Sequence, residues 1–314
     1  MDNLVFTLNI VAPVFVTILL GYLLKLWRVV DDHFVTRAST LVFYVGLPAV
    51  MVTEISASDF RAVLDPAPAG LLLVATLAWF ALSWPLAAAL VPQTGSRGAF
   101  VQGVFRGNLL LVGIPIISRA LGEGAMAEAM VVSAVVMPLY NGLAVVALLP
   151  RHEAGGQGRA LATARQIATN PIVISVVAGI VLSLLRWRLP DFLHKTGVYL
   201  GQMTFPLALI AIGAGIEPST LRGRLRATVV AGALKVVALP LSVGAVAWIL
   251  GMKPATVAIL TFLAATPTAV SSYIMARAMA ADADLAGAIV FVTTAASIVT
   301  MTVAVLVLRI AGMI

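Results

Sequence analysis

Two cations and an amide stand out because they interrupt long apolar stretches of the sequence. Arg106 and Asn108 lie eight and ten residues into the apolar stretch 98–120 (106 − 98 and 108 − 98), and Lys235 lies nine residues after Arg226. If these stretches are membrane helices, a rise of about 1.5 Å per residue puts all three roughly 12–15 Å below the nearer end. Cations at that depth mark ion or substrate paths, unless their stems run along apolar surface and the charges reach the interface. We expect Arg106 and Lys235 to attract and neutralise an anion.

Hydrogen-bond donors occur in two further apolar stretches. Tyr140 and Asn141 follow Pro138, and a second group surrounds Pro267. The second group comprises Thr266, Thr268, Ser271, Ser272 and Tyr273. Amides and hydroxyls can donate hydrogen bonds to a carboxylate. Asn141 is the more informative, because an amide inside a membrane needs partners, whereas hydroxyls often bond the carbonyls of their own helix.

The acidic residues follow the opposite pattern. Each Asp and Glu falls in or near a predicted loop, and the deepest are Glu54 at the end of one apolar stretch and Glu128 near the beginning of another. The membrane interior is therefore expected to carry net positive charge, which suits an anionic substrate. A cation or proton exchanger would need carboxylates at the centre, and an intramembrane enzyme would need paired carboxylates, a metal cluster or a serine beside a base. The sequence shows neither pattern, so we expect no enzymatic activity.

Composition indicates which elements position these residues. Hydrophobic residues make up 61% of the 314-residue chain and charged residues 11%, with a mean hydropathy of +1.07, so the chain lacks the polar surface of a water-soluble globule. Ten apolar stretches are long enough to cross a bilayer core of about 30 Å. They are 4–27, 34–55, 67–91, 98–120, 124–149, 171–189, 192–216, 227–250, 254–280 and 284–311. The chain has no cysteine, which excludes disulfides and thiolate sites, and no metal or cofactor is expected.

The ten stretches form two repeats of five, because prolines recur in order along the chain. The pairs are Pro13/Pro171 and Pro48/Pro206, 158 residues apart, Pro85/Pro240, 155 apart, and Pro115/Pro267, 152 apart. With an odd number of helices in each repeat, the second repeat enters the membrane inverted, which is the plan of many secondary transporters. We therefore predict a first repeat over 1–150, a cytoplasmic linker over 151–170 and an inverted second repeat over 171–314.

Lys and Arg are distributed unevenly between the two sets of loops. Twelve lie on the side of the odd-numbered loops and seven on the other side, with Lys235 inside a stretch. Since cytoplasmic loops carry the excess, both termini are expected on the non-cytoplasmic side of the cell (inner) membrane. The same bias accounts for the net charge of +7, so no nucleic-acid partner is expected. The first stretch has no basic residue before it, which favours a retained helix over a cleaved signal peptide.

Two of the paired prolines predict interrupted helices. Gly113-Ile114-Pro115 falls within the fourth stretch and Thr266-Pro267 within the ninth. A proline inside a helix removes a backbone donor and clashes with the preceding turn, which lipid tolerates only where the backbone faces protein or a wet cavity. Matched breaks would bring two pairs of half-helices together, and their N-terminal ends would offer free N–H groups and partial positive charge to an anion. The alternative is a simple kink in each helix.

Several segments resemble a known family. They are Asn108-Leu-Leu-Leu-Val-Gly113-Ile114-Pro115, Pro138-Leu-Tyr140-Asn141, Ala265-Thr266-Pro267-Thr268-Ala269-Val270 with Ser272-Tyr273, and Asp282-x-Asp284-Leu285-Ala286 followed by Thr293-x₃-Ser297. The chain resembles the auxin efflux carrier family, whose bacterial members include malonate transporters. The resemblance implies a ten-helix fold with two crossed broken helices, as in bile-acid symporters and sodium/proton antiporters. It also implies scaffold helices 1, 2, 6 and 7 that make the contacts of a homodimer, and moving transport helices 3–5 and 8–10.

Carried over by position, Asn108 would hold the substrate carboxylate beside the crossing prolines Pro115 and Pro267. The chain departs from the plant carriers because it lacks their long cytoplasmic loop and has Arg106 two residues before the Asn. Both departures favour a smaller and more highly charged anion than auxin.

Together these expectations describe an all-α membrane protein of ten transmembrane helices, in two inverted five-helix repeats with helices 4 and 9 broken and crossed. Its expected function is secondary transport of small organic anions, such as malonate-like dicarboxylates, by elevator-type alternating access. The expected substrate site comprises Arg106, Asn108, Gly113, Pro115, Tyr140, Asn141, Lys235, Thr266, Pro267, Thr268 and Ser271. One alternative is a sodium-coupled organic-anion symporter of the bile-acid type, with Na⁺ held by carbonyls freed at the breaks. Coupling to H⁺ or Na⁺ stays open, as does a channel or a receptor.

Overall fold

The computed structural model describes residues 2–57, 66–149, 165, 167–215 and 218–314. These residues form α-helices joined by short turns, with one isolated antiparallel bridge between Gly107 and Thr268 and no named strand in the described part of the chain. Most of the predicted linker 151–170 lies outside the described residues. The chain is an all-α membrane protein, as its composition predicts.

Twelve helices are described. They are α1 (Asp2–Leu26), α2 (Asp32–Ala57), α3 (Ala67–Leu90), α4 (Thr94–Phe105), α5 (Leu109–Leu121), α6 (Glu123–Leu148), α7 (Pro171–Leu184), α8 (Asp191–Ala214), α9 (218–249), α10 (Pro254–Ala265), α11 (Ser271–Ala278) and α12 (Ala283–Ile310). Within the described ranges, six contain segments long and apolar enough to cross a membrane: α2, α3, α6, α8, α9 and α12. Each predicted apolar stretch overlaps a helix, and the fourth and ninth stretches are each divided into two.

Three helices contain a five-residue π-helical segment, each placed two residues before a proline. The segments are Val42–Gly46 before Pro48, Leu109–Gly113 before Pro115, and Leu234–Ala238 before Pro240. In each, the residue preceding the proline donates its N–H to the carbonyl five residues earlier. Proline has no N–H and crowds the carbonyl four residues back, so the helix widens by one residue there instead of ending.

This widening corrects one prediction from the sequence. Pro115 does not break its helix, because α5 runs through it to Leu121. The interruption lies earlier, where α4 ends at Phe105 and Arg106 and Asn108 take non-helical conformations. The interruption of the ninth stretch does contain its proline, since α10 ends at Ala265 and α11 begins at Ser271.

The helices pack in two sets. In the first set α1 packs along α8 and α2 packs along α7, while α2 also contacts α8. Close approach in both pairs uses glycine, because small residues let the backbones of membrane helices come together. Gly21 of α1 packs against the backbone of Ile210, and a Cβ built on Gly179 of α7 would lie 2.8 Å from the Ile55 side chain. Gly21 and Gly179 are 158 residues apart (179 − 21), so the two pairings are equivalent under the repeat.

The second set consists of α3–α6 and α9–α12, which pack on one another and include the two interrupted helices. Most of the largest fully buried side chains belong to this set, among them Phe100, Phe105 and Phe262. The interruptions therefore lie inside protein, where their irregular backbone is shielded from lipid, as the physics of the bilayer requires.

Candidate functional site

The two interruptions lie side by side and are joined through their backbones. The Asn108 N–H donates to the Pro267 carbonyl at 2.8 Å, and the Ala269 N–H donates to the Arg106 carbonyl at 3.3 Å, on either side of the Gly107–Thr268 bridge. These two N–H groups are therefore occupied by protein. The expectation that the N-terminal ends of α5 and α11 offer further N–H groups to an anion stays a prediction.

Gly107 allows this close crossing. A Cβ built on Gly107 would collide with the Thr266 hydroxyl and lie 3.3 Å from the Leu109 side chain and 3.5 Å from the Lys235 ammonium. Any larger residue would push the two interrupted helices apart, because all three neighbours on that side are themselves buried.

Arg106 lies at the end of α4 and is only 4% exposed. Its guanidinium donates to the Asn141 amide oxygen at 2.6 Å, to the Gln102 amide oxygen at 3.3 Å and to the Met275 sulfur at 2.7 Å. Gln102 is fixed in turn by donating to the Ser272 carbonyl at 3.0 Å. In the described part of the chain all partners of Arg106 are neutral, so its charge has no countercharge in direct contact. Burial rules out the alternative in which this side chain reaches the membrane interface.

Asn141 and Tyr140 hold Arg106 and the crossing in place. The Asn141 amide accepts from Arg106 and donates to the Met137 carbonyl at 3.0 Å and the Met51 sulfur at 3.0 Å. The Tyr140 hydroxyl is in hydrogen-bond contact with the Gly107 backbone. Both side chains are buried, so Asn141 orients the guanidinium and Tyr140 supports the backbone beside it.

Asn108 differs from these residues because its side-chain amide makes no hydrogen bond within the described residues, although the side chain is only 8% exposed. It lines a cavity of about 50 Å³ at the crossing, which we call the central cavity. A water needs only about 10–15 Å³ on this measure, so the central cavity has room for a few waters or part of a small ligand. Ser271, Arg106, Tyr140 and Asn141 also line it.

The opposite wall of the central cavity comes from the first packing set. Its members are Leu47, Val50, Met51 and Glu54 of α2 and Phe205 of α8. The central cavity therefore lies between the two packing sets, with the polar groups mostly on one side and apolar groups mostly on the other.

Glu54 on that wall is a residue whose importance the sequence did not reveal. It lies in the last turn of α2, is half-buried, and lines the same cavity as Arg106. Glu54 lies near the end of its helix, as the sequence indicated, but the expectation that the centre holds no carboxylate is wrong, because Glu54 lines the central cavity. Its place at the end of the apolar stretch 34–55 suggested an interfacial group, but α2 continues to Ala57 and turns Glu54 inward.

Lys235 lies on the far side of the crossing and does not line the central cavity. Its side chain is fully buried, and the ammonium donates to the Ala264 carbonyl at 2.7 Å. In an unbroken helix that carbonyl would accept from the Thr268 N–H, which here donates to the Thr293 hydroxyl at 3.1 Å. Lys235 therefore caps the C-terminal end of α10 and adds positive charge beside Gly107.

The remaining predicted site residues support the crossing. The Thr268 hydroxyl donates to the Gly103 carbonyl at 2.7 Å and the Thr266 hydroxyl donates to the Leu263 carbonyl at 2.7 Å. Gly113 packs against Thr266, since a Cβ there would lie 3.0 Å from its methyl group. Neither Gly113 nor Pro115 lines the central cavity. Their contribution is to the shape of α5.

The two ends of the molecule differ around the central cavity. A larger cavity of about 540 Å³ lies between α2, α5, α6 and α8 and shares Glu54, Leu110 and Met137 with the central cavity. At the other end of α2, α11 closes against the first packing set. There Arg277 donates to the Thr36 hydroxyl at 3.3 Å and the Tyr273 hydroxyl donates to the Ala211 carbonyl at 3.1 Å.

A polar crossing of two interrupted helices, enclosed in a helical membrane protein and reached from a cavity, is the arrangement of a membrane transporter. Comparison with known sequences agrees: residues 6–155 and 159–305 match the model of the membrane transport protein family, which includes the auxin efflux carriers, and this chain belongs to that family. Transport is accordingly indicated over enzymatic activity, and the chain is a multi-pass membrane protein.

Individual relatives align over almost the whole chain. An uncharacterized transporter of Methanothermobacter thermautotrophicus is 22% identical over 93% of this chain and 95% of its own length. An uncharacterized transporter of Methanocaldococcus jannaschii is 20% identical over the same shares, 93% and 95%. A protein of Rhizobium meliloti provisionally named a malonate transporter is 27% identical over 94% of this chain and 93% of its own.

Proposed function

We propose that this protein is a secondary transporter of small organic anions, with malonate-like carboxylates as substrates, and that the anion binds in the central cavity. The observation that carries the proposal is the pairing of Arg106 and Asn108. Within the described residues, one is a buried cation with neutral partners only, and the other is an amide without a hydrogen-bond partner that lines the same small cavity.

Arg106 and Asn108 have complementary roles in this proposal. A guanidinium presents several N–H donors in one plane, which matches a carboxylate, and the Asn108 amide can donate a further hydrogen bond. Asn141 and Gln102 act as positioning residues because they hold the guanidinium from the side. A carboxylate that enters the cavity would meet donors whose orientation is already fixed, which lowers the entropy lost on binding.

The two packing sets suggest how the anion crosses the membrane. We infer that α1, α2, α7 and α8 form a scaffold and that α3–α6 and α9–α12 form the moving transport domain, within a ten-helix layout of inverted repeats. The central cavity lies between these sets, so movement of one past the other would carry the crossing from one side to the other. By the distribution of Lys and Arg, the larger cavity opens to the non-cytoplasmic side and the contacts of α11 close the cytoplasmic side.

Sodium coupling of the bile-acid type is less well supported by the contacts at the crossing. The carbonyls of Arg106, Pro267 and Ala264 each accept a hydrogen bond from the protein, so one of the two lone pairs of each oxygen is already in use. Replacement of Na⁺ by another monovalent cation is therefore expected to leave anion uptake unchanged, and a strict Na⁺ requirement would favour the alternative.

The proposal is tested with purified protein in two steps. A screen of small mono- and dicarboxylates should reveal ligands that raise the melting temperature with increasing concentration, since a ligand that binds the native state stabilises it. The ligand that gives the largest shift is then tested, in labelled form, for uptake into liposomes that contain the protein. An Arg309→Gln variant, which removes an exposed cation at the end of α12, serves as the matched control for Arg106→Gln. Equal uptake by these two variants would contradict the proposed site.

A further inference from the structure

We propose that Lys235 acts as a second countercharge for the substrate, so that the site selects a dianion and the protein exchanges one dicarboxylate for another. This inference rests on the proposed anion site and on the proposed moving domain. It adds to them the charge of the substrate, a residue that selects this charge, and the mode of transport.

The first observation is that two buried cations belong to the same set of helices. Among the residues whose side chains the structure describes, Arg106 and Lys235 are the only charged residues that are buried, at 4% and 0% exposure. Arg106 follows α4 and Lys235 lies in α9, and both helices are part of the second packing set. If this set moves, both charges move with it, together with the anion that it holds.

Lys235 lies close behind the wall of the central cavity. Gly107 lines that cavity between Arg106 and Asn108, and a Cβ built on Gly107 would lie 3.5 Å from the Lys235 Nζ atom. Gly107 therefore separates the ammonium from the cavity. Lys235 makes no contact with a ligand in this arrangement, but its charge acts through the protein interior, where charges interact more strongly than in water.

The second observation is that Lys235 has spare donors and no countercharge. An ammonium has three N–H donors, and within the described chain only the one that donates to the Ala264 carbonyl has a partner. The helices that pack against this turn of α9 are α4, α10 and α12. The charged residues of these helices are Arg97, Asp284 and Arg309, each in a first or last turn. A buried charge without a partner is costly, and an anion in the neighbouring cavity reduces that cost.

Glu54 is the carboxylate that lines the central cavity, and it belongs to α2 of the first packing set. It therefore stays with the proposed scaffold when the transport domain moves, and it does not travel with the anion. Its effect on affinity is common to all variants of Lys235, so it cancels when those variants are compared.

The two cations define which anion balances the moving domain. The empty domain carries two buried charges without a countercharge, and a monocarboxylate leaves one of them unbalanced. A dicarboxylate as small as malonate keeps both of its negative charges near both cations and leaves none unbalanced. We therefore expect the dianion to bind more tightly than a monoanion of the same shape.

The scaffold wall that Arg106 must pass is mostly apolar. It is lined at the central cavity by Leu47, Val50 and Met51 of α2 and by Phe205 of α8. Moving a charge without a partner along such a surface is strongly unfavourable, whereas a charge whose partner moves with it is less so. The transport domain then returns quickly only when a second dianion binds on the other side, which makes transport an exchange.

The competing interpretation is that Lys235 only caps α10. A cap needs a donor but no charge, so a neutral side chain that keeps an N–H donor separates the two roles. Lys235→Gln is such a variant. If Lys235 were only a cap, the preference of the site for a dianion would not change in this variant, although the melting temperature could.

The first experiment compares malonate with malonamate, its monoamide, which has nearly the same shape and one negative charge. Affinities are measured by titration calorimetry at about pH 8 for the wild type, Lys235→Gln and Lys253→Gln. Lys253 is an exposed lysine directly before α10 and serves as the matched control. The wild type should bind malonate more tightly than malonamate. Lys235→Gln should reduce this preference by about tenfold, the order expected for a charge acting through protein, and Lys253→Gln should leave it unchanged.

Equal wild-type affinities for the two ligands would overturn the proposal, and this result does not depend on whether Lys235→Gln folds. An unchanged preference in Lys235→Gln, with its fold confirmed by a cooperative thermal melt, would also overturn it and would leave Lys235 as a cap. Failure of every tested carboxylate to bind would instead count against the anion site itself, so the two failures are distinguishable.

The second experiment uses the unmodified protein in liposomes whose membrane potential is clamped. Labelled malonate is added outside, and the liposomes contain either unlabelled malonate or sucrose at the same osmolarity. Uptake should be at least about tenfold faster with malonate inside, because the empty domain meets the higher barrier. The exchange rate should be the same at positive and negative potentials, since the loaded domain carries no net buried charge. Uptake that is equally fast with sucrose inside, or an exchange rate that depends steeply on potential, would overturn the proposal.

Discussion

The two helix interruptions meet through matching backbone hydrogen bonds, yet their side chains have different tasks. At the interruption between α4 and α5, Arg106 and Asn108 point their polar groups toward the central cavity. At the interruption between α10 and α11, the Thr266 and Thr268 hydroxyls donate to backbone carbonyls within the transport helices. The first interruption presents a cation and an amide to a ligand, whereas the second mainly holds the crossing together and adds Ser271 to the lining of the cavity.

This difference shows how an inverted repeat can become specialised. Both copies need an interruption, because each half must turn at the crossing, and both are shielded from lipid by the same surrounding helices. Only one copy needs a cation in the lining of the cavity, since a second buried cation facing the same small cavity would be repelled by the first. Lys235, the second buried cation, is indeed turned away to cap α10.

The difference between the two interruptions is tested most strongly by removing the charge of Arg106 from the first one. Arg106→Gln should weaken malonate binding by about 2–5 kcal/mol, the range for truncating one partner of a buried charged pair, and should abolish uptake. Arg106→Lys should restore part of the affinity, because lysine keeps the charge but lacks the planar fork. Both are measured by titration calorimetry on purified protein. Wild-type affinity in Arg106→Gln would assign the anion to another site.

Removal of the second donor should have a smaller effect of the same kind. Asn108→Ala should weaken malonate binding by about 1.5–3 kcal/mol, the loss of one hydrogen bond to a charged group. The melting temperature of the ligand-free protein should change little, because the amide has no protein partner in the described chain. Uptake should fall at low malonate concentration. A large drop in the ligand-free melting temperature would show that Asn108 is structural, like the threonines of the other interruption.

The second interruption should respond in the opposite way. Thr268→Val keeps the shape of the side chain but leaves the Gly103 carbonyl without its donor, so the free energy of unfolding should fall by about 1–3 kcal/mol. Malonate affinity at a temperature where the protein is folded should stay within about twofold of the wild type. Thermal melts and calorimetry on the same sample separate the two quantities. A selective loss of affinity would mean that the threonine contacts the ligand.

The smallest effect is expected at the proline that the sequence marked as a break. Pro115→Ala lies within α5, beyond the crossing, and should let the widened turn at Leu109–Gly113 return toward regular helix without moving Arg106. Malonate affinity should change by less than about twofold, since alanine is well tolerated in a helix. A large loss would show that the widened turn positions Asn108, which begins it.

Much of this arrangement follows from residue types and their order. The paired prolines and glycines reveal the repeat, and the depth of Arg106, Asn108 and Asn141 in apolar stretches identifies the polar centre. The position of the first interruption could not be read in this way, because a proline can widen a helix as well as end it, and the choice depends on what packs around it. The role of Lys235 was also hidden, since the carbonyl it caps lies on another helix.

By itself the sequence determines that this is an all-helical membrane protein, that it repeats, and that its candidate site residues lie in four of the apolar stretches. Those properties are local, because they depend on hydropathy, helix length and proline chemistry along one segment. The tertiary structure alone decides which backbone atoms meet at the crossing, that Glu54 faces the same cavity as Arg106, and that Lys235 faces away from it. These depend on the rotation of each helix about its axis, which is set by packing against neighbours that are distant in the chain.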